Sequence, residues 1–218
     1  MIWWILGAFV LGFLTPYMAR RFAKFMPVTL AGAVVELLRQ EKRHKDYRKN
    51  KLYKKLLWRS VVFGLLNAIL TGAAYLWFAR PEMMIIFMWF LFLLAEIDKR
   101  MFVLPDILTI PLLLLGLAAA YAGRSSIAID DSILGALAGY FLPVAVSLLI
   151  VWYKKDAFGG GDIKLLTAIG AWLGLVGLLL VITVASVLGL LVALVQRKKS
   201  IAFGPMLAIA GILVAFMI

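Results

Sequence analysis

Two carboxylic acids in this sequence stand where membrane proteins rarely keep a charge. Asp98 closes an apolar segment in Ala95-Glu96-Ile97-Asp98-Lys99-Arg100, and Asp162 opens another after Phe158-Gly159-Gly160-Gly161. An acid beside hydrocarbon is costly and needs a reason. Two helices of a bundle could bring the pair together, although 64 residues of chain separate them. Carboxyls sharing one site cannot both ionise easily, so one keeps its proton. One then acts as a base that activates water. The other polarises a scissile carbonyl and protonates the leaving amine. Such a pair titrates as a unit, and the residues alone do not divide the two roles. No Ser-His or Cys-His alternative exists. There is no cysteine, and the single histidine, His44, lies in a strongly charged loop and reads as solvated.

The residues around the acids carry two readings each. Gly159, Gly160 and Gly161 lack Cβ atoms, so the backbone there can bend sharply and let an extended substrate approach it. Equally, they form a glycine-rich turn before a helix, with Asp162 as its N-cap or first-turn acid. Asp106 follows Pro105, a step suited to starting a helix. It is read as shaping the start of the next segment and supporting the site. Glu96 and Lys164 each stand two positions from an acid, a spacing that points them to another helix face. Both are read as interface residues, Lys164 with a supporting effect on the charge of the site.

The elements that must position these groups are membrane helices. Apolar residues make up 65% of the 218, against roughly 45–50% in a soluble domain. Eight apolar segments are read: Ile2–Tyr17, Ser60–Phe78, Met83–Ala95, Leu104–Ala122, Ile133–Tyr153, two within Ile163–Val195, and Ile201–Ile218. Ile163–Val195 is 33 residues long and Lys164 is its only charge. As one helix it would reach about 50 Å, too long for one crossing. Gly174 and Gly177 offer a turn, and the segment is divided there. No basic region precedes Ile2–Leu14, so these residues are not read as a cleaved signal.

Lysine and arginine then set the orientation. With the N-terminus outside, the loops around 20–59, 96–103, 154–164 and 196–200 fall on one side and hold 21 of the 23 basic residues. That side is expected to be cytoplasmic, and it carries Asp98, Asp106 and Asp162. The net charge of +12 is therefore read as anchoring loops beside anionic lipid. No nucleic-acid partner is expected, since no aromatic stripe or known motif accompanies the charge. The one sizeable non-membrane region, Ala19–Arg59, contains an amphipathic run, Val28–Leu38, and reads as a helical loop on the membrane surface. The fold expected is all-α: a polytopic membrane protein of about eight transmembrane helices with one cytoplasmic loop region.

The two acidic motifs resemble those of the bacterial type IV prepilin peptidases. Gly159-x-Gly161-Asp162, Ile163-Lys164-Leu165-Leu166 and Gly170-Ala171-Trp172-Leu173-Gly174 are similar to the second catalytic motif of that family. Ile97-Asp98, Leu104-Pro105-Asp106-Ile107-Leu108-Thr109 and Pro111-Leu112 are similar to the first, and Phe203-Gly204-Pro205 matches a C-terminal motif. The resemblance runs from Glu96 to the C-terminus and is weaker at Gly12-Phe13-Leu14 through Arg20. It implies a membrane-embedded aspartyl protease of the Gly-x-Gly-Asp type, with Asp98 and Asp162 as the catalytic pair. The substrate implied is a prepilin or type II secretion pseudopilin, cut between its short basic leader and its apolar helix. Cleavage would take place at the cytoplasmic face of the bacterial inner membrane.

Many members also methylate the new N-terminus with S-adenosylmethionine, which would be the one cofactor; proteolysis itself needs none. Many carry paired Cys-x-x-Cys motifs in the cytoplasmic loop, where this chain has none, so no metal is expected. The implied division is 1–59, an N-terminal helix and basic loop associated with any methyltransferase step, and 60–218, a transmembrane peptidase domain. Two other readings compete. A proton-coupled transporter would also use intramembrane acids, but no internal repeat is found. A non-catalytic scaffold with helix-capping aspartates leaves the two ordered motifs unexplained.

Overall fold

The computed structural model describes residues 2–24, 51–78, 81–151, 159–196 and 202–218. Val28–Leu38, His44 and Asp156, with most of the basic loop, lie outside the described residues. The described residues form α1 (Ile2–Lys24), α2 (Lys51–Trp77), α3 (Pro81–Met101), α4 (Asp106–Tyr121), α5 (Ile129–Val151), α6 (Gly160–Gln196) and α7 (Gly204–Ala215), with no strand among them. Stretches in α1, α2, α5 and α6 are long and apolar enough to cross a membrane, and α4 and α7 are shorter apolar helices. Trp3, Leu76 and Val195 are 85%, 88% and 82% exposed. Side chains of this kind suit lipid and not water. The protein is an all-helical polytopic membrane protein.

Two compact units divide the chain, 1–72 and 73–218. In the first, α1 and the middle of α2 approach closely at glycines. A Cβ on Gly12 would lie 2.6 Å from the Phe63 carbonyl oxygen and 2.8 Å from the Asn67 Cβ. Small residues let membrane helices meet in this way, because dispersion contacts replace the missing hydrophobic drive.

The second unit holds both acidic motifs. Its helix directions follow from paired contacts. Asp131 touches Gly174, Gly135 meets Gly170, and Gly139 meets Leu166. Steps of four forward in α5 match steps of four backward in α6, so the two run antiparallel with their backbones in contact. Asp98 meets Gly204 and Leu91 meets Gly211, so α3 and α7 are antiparallel too. Lys164 reaches Asp106 and Trp172 reaches Leu112, so α4 runs parallel to the first part of α6.

The division of the long apolar stretch is made by one residue. Gly174 has φ 72 and ψ −175 and interrupts α6. Asp131, in the first turn of α5, accepts the Leu175 N–H at 3.1 Å and caps the second leg. Farther on, Gly177 faces Ile218 and Gly189 faces Phe203. Phe203 adjoins Gly204 at the Asp98 end, so after Gly174 the chain turns back toward that end. With α6 counted as two legs, the described residues hold eight helical legs. The turn is at Gly174 alone; Gly177 lies within the second leg.

Several helices are longer than their apolar segments. α3 continues through Glu96, Asp98, Lys99 and Arg100, and α2 begins at Lys51, nine residues before Ser60. Charged ends extend a helix beyond the hydrocarbon, where hydropathy no longer reports it. α7 is shorter than Ile201–Ile218, at 12 residues.

Candidate functional site

The buried stripe of α3 carries Asp98 inward. Met84, Phe87, Leu91, Leu94 and Asp98 are all buried, spaced three or four residues apart along one helical face. Asp98 is 5% exposed. α3 then stops. The Phe102 N–H still bonds the Asp98 carbonyl at 2.8 Å, but Phe102 adopts φ 55. A side chain in this left-handed region costs roughly 1–2 kcal/mol. Three residues later Pro105, extended at φ −74 and ψ 133, precedes α4.

Asp162 follows the same logic. Leu165, Leu166, Ile169 and Trp172 are buried on α6, and Asp162 stands on that face one turn earlier. The Gly159 carbonyl accepts from the Asp162 N–H at 3.0 Å and the Ile163 N–H at 3.3 Å, starting the helix. Asp162 is therefore a first-turn acid and not the N-cap. It is half-buried.

The two acids come together at one end of the unit, close enough for the charge of Asp98 to act on Asp162. Among the described residues neither enters a salt bridge. Asp98 Oδ2 accepts the Gly204 N–H at 2.8 Å. The three glycines differ in what surrounds them. A Cβ on Gly161 would lie 3.0 Å from the Leu104 Cβ and 3.2 Å from its nitrogen, whereas Gly160 has nothing within 4 Å. Gly159 has only the Asp162 carboxyl nearby, 3.3 Å away. Gly161 thus lets the Asp162 turn press against the link that follows Asp98.

Lys164 donates to both Asp106 oxygens at 2.6 and 2.7 Å. The two side chains are 47% and 54% exposed, so this pair contributes little stability. Its effect is geometric, holding the start of α4 against the first turn of α6. Glu96 pairs with Arg100 one turn on at 2.6 Å, as its separate face requires. Deeper in the unit, Trp172 Nε1–H donates to the Leu112 carbonyl at 2.8 Å and its ring stacks on Phe87, with centroids 5.1 Å apart. This ties α3, α4 and α6 together. No cluster of His, Cys, Asp or Glu suited to a metal occurs among the described residues.

Gly204 is the contact that residue types did not reveal. Phe203-Gly204-Pro205 was visible as a motif, but nothing in it points to Asp98, which lies 106 residues earlier.

Two acids at helix ends in one bundle define a class: polytopic membrane proteins with two carboxyls at one end of the bundle. A match to the type IV leader peptidase family covers residues 85–194, which include both acids. The chain belongs to that family. It is similar to the prepilin leader peptidase/N-methyltransferase of Pectobacterium carotovorum subsp. carotovorum, 41% identical over 134 residues, which cover 56% of this chain and 47% of the relative. It also resembles the proteins of that name from Neisseria gonorrhoeae, 40% identical over 56% of this chain and 44% of the relative, and Escherichia coli K12, 38% identical over 66% and 63%. The chain spans about half the length of the first of these relatives. No solved structure matches it.

Proposed function

We propose that this protein is an intramembrane aspartyl endopeptidase that removes the leader of type IV prepilins or type II secretion pseudopilins. The observation that carries the reading is that Asp98 and Asp162, on separate helices, lie at the same end of the bundle, where Gly161 packs against Leu104 of the link after Asp98. Neither has a salt-bridge partner among the described residues. One carboxylate takes a proton from water, and the resulting hydroxide adds to the scissile carbonyl. The other acid polarises that carbonyl oxygen and then protonates the amine as the C–N bond breaks. The products are the leader's carboxyl terminus and the pilin's new amino terminus. Family membership supports this reading, and so does the exposed, unobstructed Gly160 beside Asp162, where an extended substrate backbone could lie.

The lysine and arginine bias supports a site at the cytoplasmic face of the inner membrane. A prepilin helix would then reach it laterally from lipid. We assign residues 60–218 to the peptidase. The relatives' names include N-methyltransferase, which supports, as a second and separately testable activity, methylation of the new N-terminus with S-adenosylmethionine, associated with residues 1–59. A transporter role has no observation in its favour, because the acids sit at helix ends.

The test is cleavage of a purified prepilin by the protein and by Asp98→Asn and Asp162→Asn, each checked for folding. Each variant should remain folded and lose leader removal. Retained cleavage in either would take that residue out of the mechanism. Mass spectrometry of the product's N-terminus, with S-adenosylmethionine supplied, reports methylation.

A further inference from the structure

The first turn of α7 has one backbone donor directed out of the helix. Pro205 has no N–H, and the Met206 and Leu207 N–H groups both bond back to the Phe203 carbonyl, at 3.0 and 3.1 Å. The Gly204 N–H instead points to Asp98 Oδ2, 2.8 Å away and buried. Buried backbone donors nearly always find a partner, and here the partner belongs to the proposed pair.

The space is as specific as the bond. A Cβ on Gly204 would lie 2.7 Å from Asp98 Oδ2 and 2.9 Å from both its Cβ and its Cγ. No side chain fits there unless Asp98 moves. Seven residues on in α7 and seven back in α3, Gly211 sits against Leu91. Leu207, Ala208 and Ala210 are buried between these two points, so α7 is held to α3 over two turns. Asp98 Oδ1, by contrast, has no hydrogen-bond donor among the described residues.

We propose that Gly204 is a positioning residue for Asp98: its N–H anchors Oδ2, its missing side chain makes room for the carboxyl, and Oδ1 is left as the oxygen that meets water. This rests on the reading of Asp98 as catalytic. It gives the Phe203-Gly204-Pro205 motif a physical task. Proline limits the first turn to one outward donor, and glycine lets that donor come within bonding distance of an acid on another helix. A donor on Oδ2 also stabilises negative charge on the carboxyl.

The experiment replaces Gly204 with glycolic acid, which exchanges the N–H for an ester oxygen and adds no side chain. Cleavage of a purified prepilin by the full chain should show kcat lowered about ten- to hundredfold, the scale of one hydrogen bond to a charged group. KM should stay within about twofold, because substrate binding is not touched. Gly204→Ala should lower kcat about a hundredfold or more, as expected when a reacting group is displaced by about 1 Å. Gly211→Ala, whose Cβ would lie 3.0 Å from Leu91 Cδ1 on the same helix pair, should keep the parent kcat.

A glycolate variant with the parent kcat would overturn the proposal. So would a rise in KM alone, or loss of folding, which would make the bond purely structural. If Gly204→Ala fails to fold, the glycolate variant decides. Asp98→Asn run alongside separates the two readings. If it still cleaves, the catalytic reading of Asp98 falls. If it is inactive while the glycolate variant is unimpaired, only the positioning role falls.

Discussion

Gly174→Ala should be among the most damaging single-methyl changes in this protein, and two separable terms set its cost. The first is conformational. At φ 72 and ψ −175 the backbone lies in a region that is essentially glycine-only, where a side chain costs about 1–3 kcal/mol. The second is a collision. The new Cβ would run into Asp131 Oδ2, on the carboxyl whose other oxygen caps the Leu175 N–H at 3.1 Å. A hydrogen bond to a charged group contributes about 1.5–3 kcal/mol. Together the terms come to about 4 kcal/mol. The assay is reversible unfolding in mixed micelles, run as a double-mutant cycle with Asp131→Ala. In the Asp131→Ala background the collision and the cap are already gone. Gly174→Ala should then cost only its conformational term, about 2 kcal/mol. A cost below about 0.5 kcal/mol in the parent would refute the backbone argument, and full additivity would refute the collision.

Four further outcomes follow from other contacts in the structure. Gly161→Ala must push Leu104 by a few tenths of an ångström and should lower the cleavage rate. Gly160→Ala meets nothing and should keep or slightly raise stability, so any rise in its KM reports substrate contact at that position. Lys164→Met should change unfolding stability by less than about 1 kcal/mol, with an effect that shrinks as salt rises; a larger, salt-insensitive loss would contradict the exposed pair. Trp172→Phe keeps an aromatic ring beside Phe87 but leaves the Leu112 carbonyl without its donor, and should cost about 1–3 kcal/mol by the same unfolding assay.

Both acids were legible in one dimension because a carboxyl beside hydrocarbon is costly and needs a reason. Asp98 continues the stripe of Leu91 and Leu94, and Asp162 starts the stripe of Leu165, Leu166 and Ile169. Those stripes were not legible, because every position from Met83 to Ala95 is apolar and only packing shows which face is buried. Charge asymmetry and the length of Ile163–Val195 implied that the chain must turn near Gly174, because lipid thickness limits a straight helix. These are local or additive properties, and they survive without knowing what packs against what.

The close approaches depended on the third dimension. That Gly177 is interior and Gly174 is the turn depends on Asp131, 43 positions earlier, whose carboxyl caps the Leu175 N–H at the start of the second leg. That Lys164 pairs with Asp106 depends on α4 lying parallel to the first leg of α6. Composition could not single out Gly204 either, since a glycine reads as a turn until a neighbour occupies the space its side chain would take. Helical periodicity sets which residues share a face, but only packing decides what that face meets.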